Sequence, residues 1–262
     1  MNPVKIYDLE IQTPFILGSA LYPNLQSLIE SIQAAKTEMV TVALKRELQG
    51  GKNNFFWQAI KKTGVKVLPN TAGCKNTEEA LMIAKAAREI FKTNYIKLEI
   101  IGDAQTLQPD PIELLKATEV LIKEGFYVLP YCTDDLTICQ KLVQMGCKVL
   151  MPLASFIGSG QGIQNPHSLA LLRNRLPQTT LIVDAGIGTP SDATIAMELG
   201  FDAVLLNSAV ALSHNPPLMA KAFYHAIQAG KYAYSAKRMP KRKFAHSSTP
   251  LEDTPFWHTL ST

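Results

Sequence analysis

Cysteine is scarce in this chain of 262 residues: four in all, at positions 74, 132, 139 and 147. None pairs with another as C-x-x-C, and none stands at zinc-finger spacing from a histidine. A disulfide framework is excluded, a structural zinc or iron–sulfur site is not expected, and buried free thiols are the expected state. The five histidines show no ligand spacing, so neither a metal nor a cofactor is expected. No apolar run approaches the roughly 20 residues that span a bilayer. The opening residues, MNPVKIYDLEIQTPF, lack the basic-then-apolar order of a secretory signal, which points to a cytoplasmic protein without membrane contact. No G-x-G-x-x-G follows the first apolar run, which argues against a dinucleotide fold. With 47% hydrophobic and 18% charged residues, the chain is not intrinsically disordered.

The formal charge of +4 comes from one place. Lys237, Arg238, Lys241, Arg242 and Lys243 cluster near the end, and without them positive and negative side chains nearly balance. A nucleic-acid binder would spread its basic surface over the fold, so none is expected. From Lys237 periodicity disappears into charge, Ser/Thr and Pro. The expected division is a folded unit over 1–236 and a basic tail over 237–262, either flexible or used for docking.

Short apolar, β-branched runs at 15–17, 39–44, 65–69, 95–100, 126–130, 148–152, 181–184 and 203–206 read as strands. Amphipathic segments near 24–35, 54–62, 77–91, 111–124, 134–146, 166–174, 190–199 and 216–229 separate or follow them. This is the spacing of eight β-α units joined by right-handed crossovers, and it predicts an α/β fold, a single (β/α)8 TIM barrel. Asn76-Thr77-Glu78-Glu79, Thr133-Asp134-Asp135 and Pro190-Ser191-Asp192 read as helix starts, and Gly125, Gly146 and Gly200 as helix stops.

The fourth strand, Tyr95-Ile96-Lys97-Leu98-Glu99-Ile100, carries the most informative pattern. Its period of two sends Ile96, Leu98 and Ile100 toward the helices and Lys97 and Glu99 toward the barrel axis. A lysine in a packed interior is costly unless paired or functional. Burial is expected to lower its pKa and free the amine to form a Schiff base, with Glu99 placed to move protons. Asp184, at the tip of the seventh strand, is a second acid/base candidate, since barrel active sites lie at the C-terminal ends of strands. The glycine segments Ile157–Gly162, Ala185–Gly188 and the Asn207–Ser208 pair follow strands six, seven and eight, where barrels bind phosphate with backbone amides. The first of these segments could close over the phosphate or act as a lid. Asn70 or Thr71 could line the mouth. The alternatives at this point are a flavin (FMN) oxidoreductase, a Schiff-base aldolase, or a non-catalytic sugar-phosphate-binding barrel in which Lys97 and Glu99 are a core ion pair.

The segments LPNTAGC (68–74), IKLEIIGD (96–103), FIGSGQG (156–162), VDAGIGTPSDA (183–193) and AMELGFDAVLLNSAVA (196–211) closely resemble bacterial thiazole synthase, a thiamine-pathway enzyme. The resemblance runs in order over roughly 14–236. It implies a barrel that binds 1-deoxy-D-xylulose 5-phosphate and is a sulfur-incorporating transferase. It implies that Lys97 forms an imine with the sugar ketone while Glu99 and Asp184 act as acid and base. It implies that Gly158, Ala185, Gly186, Asn207 and Ser208 hold the substrate. Sulfur would come from the C-terminal thiocarboxylate of a small ubiquitin-like carrier protein. Nitrogen and two carbons would come from dehydroglycine, made by a partner oxidase or lyase, and the product would be a thiazole carboxylate phosphate. A homo-oligomer, tetramer or dimer, is implied as well. The chain departs from the family where Gly18-Ser19-Ala20-Leu21-Tyr22 stands in place of G-T-G-K-Y: the lysine is missing.

Overall fold

The computed structural model describes residues 3–44 and 55–246. Its first element is a hairpin, β1 (Val4–Ile6) and β2 (Leu9–Ile11), paired antiparallel across a turn in which Tyr7 takes φ +59°. Eight parallel strands follow: β3 (Phe15–Gly18), β4 (Met39–Ala43), β5 (Lys66–Asn70), β6 (Tyr95–Leu98), β7 (Tyr127–Cys132), β8 (Val149–Pro152), β9 (Thr180–Asp184) and β10 (Ala203–Leu206). They close into a barrel in sequence order, with β10 bonded to both β9 and β3. The expected TIM barrel is therefore the observed fold.

The helices are α1 (Leu25–Ala35), α2 (Phe55–Lys62), α3 (Thr77–Phe91), α4 (Pro111–Lys123), α5 (Leu136–Gln144), α6 (Pro166–Arg175), α7 (Pro190–Glu198), α8 (Ser208–Ala211) and α9 (Pro216–Ala236). Local chemistry sets their starts. Asn76 accepts from the Glu79 amide and Asp135 from the Ile138 amide, while Thr189 and Asp192 form a reciprocal capping box. Gly125, Gly146 and Gly200 end their helices with φ of +80°, +111° and +91°. Helix α9 runs to Ala236, well past the expected end at 229. Residues 237–246 form no helix or strand and are exposed, and the rest of the basic tail, 247–262, lies outside the described residues.

Two apolar cores result. One lies between the barrel and its helices and contains Ile96, Leu98 and Ile100 as expected. The other fills the lower barrel with Ile16, Met39, Leu68, Leu129, Val149, Met151, Ile182 and Leu205, and the hairpin's Val4, Ile6 and Ile11 close it from below. The Thr180 hydroxyl donates to Lys5 O (2.7 Å) and the Tyr7 hydroxyl to Val128 O (2.7 Å), tying the plug to the barrel wall. No disulfide joins the four buried cysteines, and burial pushes the Cys147 thiol up to about 12, so these thiols are packing groups.

Helices α7 and α9 pack closely at Gly230. A Cβ there would stand 2.5 Å from Thr194 O and 2.7 Å from Met197 Cβ. Gly230→Ala is expected to force the helices apart and lower stability by about 1–3 kcal/mol. Thermal unfolding checks this; an unchanged or raised Tm would show that the contact yields freely.

Candidate active site

Along β3, β4, β5, β9 and β10 the inward positions change character toward the C-terminal end. The apolar floor residues Ile16, Met39, Leu68, Ile182 and Leu205 are followed two residues later by Gly18, Thr41, Asn70, Asp184 and Asn207, which line a cavity of about 380 Å³. Lys97 and Glu99 line it from β6 and the residue just beyond its end. The period of two thus carries the barrel from a hydrophobic floor to a polar chamber within one turn of the pleat.

Lys97, Glu99 and Asp184 meet in that chamber. Lys97 Nζ lies 2.6 Å from Asp184 Oδ2 and 3.0 Å from Glu99 Oε1, and all three residues are at most 5% exposed. Lys97 reaches across the barrel, from β6 to β9. Its protonation corrects the expectation from sequence. Burial is the largest single influence and pulls the lysine pKa down, but Asp184 and then Glu99 outweigh it, and the net shift is upward. The resting side chain is an ammonium. Asp184 shifts upward because burial outweighs the lysine's attraction. Two carboxylates and one ammonium sharing a dry site make proton exchange between Lys97 and Asp184 the accessible event.

Gly158, Ala185, Gly186, Asn207 and Ser208 also line the cavity, so they share one mouth with Lys97, Glu99, Asp184 and Asn70. The loop after β8 is bonded to the loop after β9: Gly162 N donates to Gly186 O (2.8 Å), Ala154 N to Ala185 O (3.4 Å) and Ser155 Oγ to Gly186 O (3.2 Å). Ala185 and Gly186 take φ of +71° and +77°, turning this chain sharply at the rim. Ala185 holds that conformation at a cost that most side-chain-bearing residues avoid. Asp192 accepts from the amides of Gly188 (3.1 Å) and Thr189 (2.8 Å) and fixes the far end of the turn. Asn207 does more than line the mouth. Its Oδ1 accepts from Ala20 N (3.2 Å), and it packs so close to Gly18 that a Cβ there would lie 2.5 Å from its own. It therefore holds the loop after β3, where Leu21 stands in the family's lysine position with φ +68° and 58% exposure.

Sequence reasoning missed Thr41 and Tyr131. Tyr131 is fully buried, its ring centroid 5.7 Å from Lys97 Nζ, close enough for a cation–π attraction. Both are inward positions one step above an apolar floor residue, and the period-two pattern around Met39 and Leu129 was the available signal. Thr71 is not on the cavity wall. Its hydroxyl donates to Glu99 O (2.8 Å) and accepts from Glu99 N (2.7 Å), clamping the backbone of the carboxylate.

The family described as thiazole biosynthesis protein ThiG matches residues 5–250. The chain belongs to the ThiG family. A thiazole synthase from Rhodopseudomonas palustris strain BisA53 is 54% identical over 259 residues, covering 98% of this chain and all of the relative. One from Nitrobacter hamburgensis is 53% identical over the same extent. Among solved structures, the Amycolatopsis orientalis BexX/CysO complex contains a chain with a TM-score of 0.83 and 26% identity, covering 93% of this chain and all of that one. The ThiG-family chain is thus an enzyme of thiazole formation for thiamine biosynthesis, in the sulfur-transferring class. Family membership selects this over the aldolase, flavin and non-catalytic alternatives. No helix among the described residues is long and apolar enough to cross a membrane.

Proposed function

We propose that the enzyme binds 1-deoxy-D-xylulose 5-phosphate with its phosphate against the β8–β10 loops and joins its ketone to Lys97 as an imine. The observation that carries this reading is the Lys97 ammonium held between Asp184 and Glu99, 2.6 and 3.0 Å away, beneath a rim of glycine-rich turns. Among the described residues lining the cavity Lys97 is the one cation, and the backbone amides near Gly158, Ala185–Gly186 and Asn207–Ser208, with the Ser208 hydroxyl, are the donors we assign to the phosphate. The amine becomes nucleophilic by passing its proton to Asp184. It adds to the C2 ketone, and the carbinolamine oxygen takes a proton from a neighbouring carboxylic acid and leaves as water. The imine acidifies the adjacent C–H, and Glu99 is placed to receive that proton. Sulfur then arrives on a carrier-protein thiocarboxylate, and dehydroglycine completes the ring. A related barrel solved in complex with the second protein CysO supports a protein partner. The basic segment after Ala236 has the charge to steer such an association.

Intact mass after mixing with the sugar phosphate and borohydride tests the first step. A reduced adduct that maps to Lys97 supports the reading; folded protein that binds the sugar and traps none of it rejects the imine. The pH dependence gives a sharper test of the triad. Glu99 raises the lysine pKa, so Glu99→Gln is expected to move the pH midpoint of adduct formation downward by about 1–3 units, while later proton-transfer steps fail. An upward or absent shift would mean that Glu99 does not hold the ammonium.

A further inference from the structure

One wall of the chamber has no task in the chemistry above. Thr41 and Asn70 lie on β4 and β5, 4% and 8% exposed, and both line the cavity. No hydrogen bond occupies the Thr41 hydroxyl among the described residues. Asn70 accepts at Oδ1 from Ala72 N (3.3 Å). A backbone N–H can meet only the amide oxygen, so this contact fixes the orientation of the Asn70 carboxamide and leaves its two N–H donors for the cavity. Both groups open onto the cavity, where their hydrogen-bonding capacity is available to a ligand acceptor.

The ring order of the strands says which ligand they can meet. In the closed barrel β5 stands opposite β9, and β4 opposite β8. The phosphate cup, on the loops of β8, β9 and β10, is therefore across the chamber from this wall. Lys97 Nζ lies toward the cup side, 2.6 Å from Asp184 on β9. A 1-deoxy-pentulose 5-phosphate anchored at C5 and bonded to Lys97 through C2 places its hydroxylated carbons between lysine and cup. Only its C1 methyl is left to point toward Thr41 and Asn70. A methyl group satisfies neither donor. Gly18, Ala20, Ala43 and Ala72 line the same side and leave room beside them.

We propose that Thr41 and Asn70 form a subsite for the second substrate, a small planar carboxylate. On the reading of the previous section, upon which this rests, that substrate is dehydroglycine, with its carboxylate oxygens accepting from the Thr41 hydroxyl and the Asn70 amide. The subsite sets the imine nitrogen beside the substituted C2 carbon while the sugar stays anchored opposite.

The test separates the two substrates. Sugar binding is followed by borohydride trapping. Use of the second substrate is followed by product formation at varied glyoxylate plus ammonium, a source of the glycine imine, with a carrier thiocarboxylate as sulfur donor. Thr41→Val and Asn70→Leu are expected to raise the imine concentration for half-maximal rate by about tenfold to a hundredfold, the loss of a hydrogen bond to a charged group, with sugar trapping kept; Thr41→Ser restores the wild-type value. Equal loss of sugar trapping would assign the wall to the sugar and overturn the subsite, and so would an unchanged dependence on imine. Should either variant fail to fold, the wild-type enzyme decides. Oxamate, a planar stable analogue, is expected to compete with the imine and leave sugar trapping untouched; competition with the sugar, or no inhibition, overturns the proposal. Failure of wild-type protein to trap the sugar at all would count against the imine reading and not against this wall.

Discussion

Lys97→Ala protein is expected to form no borohydride-trapped adduct and no thiazole, and to lose stability in a pH-dependent way. The first loss follows from removing the amine. The second follows from what is left behind. Glu99 and Asp184 remain buried in one chamber, each at most 5% exposed, with no cation between them. Breaking a buried pair by removing one partner costs about 3–5 kcal/mol, because the remaining charge has neither water nor partner. The variant relieves this by protonation. Asp184, already pushed up by burial, then has a folded-state pKa above its unfolded value near 4. Such groups favour the folded state at low pH and lose that contribution as pH rises through the folded pKa. Thermal melts at pH 5.5 and 8.5 should therefore show a deficit relative to wild type that is small at the lower pH and large at the higher. A deficit independent of pH would mean that the lysine contributes packing rather than charge. Any adduct on the variant would mean that Lys97 is not the imine lysine.

The alternation at 95–100 made Lys97 and Glu99 legible, because a period of two assigns faces without knowledge of the rest of the fold. The barrel was legible for a similar reason: eight short apolar runs separated by capped helices have few other ways to close. The lysine's protonation was not legible. It depends on a carboxylate from β9, brought to 2.6 Å only by closure of the barrel, and local burial alone gives the wrong sign. Thr41 and Tyr131 share that difficulty, since an inward polar residue becomes a site residue only when the register stacks it above the floor. The hairpin was a different omission. Val4, Ile6, Leu9 and Ile11 alternate around the Tyr7-Asp8 turn and spell two strands. Three-residue strands give too short a pattern to stand apart from a loop; what stabilises them is burial of Ile6 and Ile11 under the barrel.

Gly186→Ala is expected to weaken sugar-phosphate binding by about a hundredfold, the scale of an ångström-sized displacement of positioned groups. A Cβ there would lie 2.0 Å from Ser155 Oγ, 2.5 Å from Ser155 N and 2.7 Å from Ser155 C, with φ at +77°. The hydroxyl could be trimmed, but the Ser155 backbone cannot, so Ser155→Gly is not expected to rescue the variant. Relief requires the β8 and β9 loops to part, which breaks the bond from Gly162 N to Gly186 O (2.8 Å) and moves the amides proposed to bind the phosphate. Gly64→Ala supplies the control. Gly64 has nearly the same φ, +76°, but a Cβ there meets nothing within 4 Å. It carries only the left-handed backbone cost of about 1–2 kcal/mol, and its affinity should match wild type. Calorimetric titration with the sugar phosphate, beside thermal melts, separates the two terms. If Gly186→Ala bound within a few-fold of Gly64→Ala, the interlocked loops would not be what aims the amides at the phosphate.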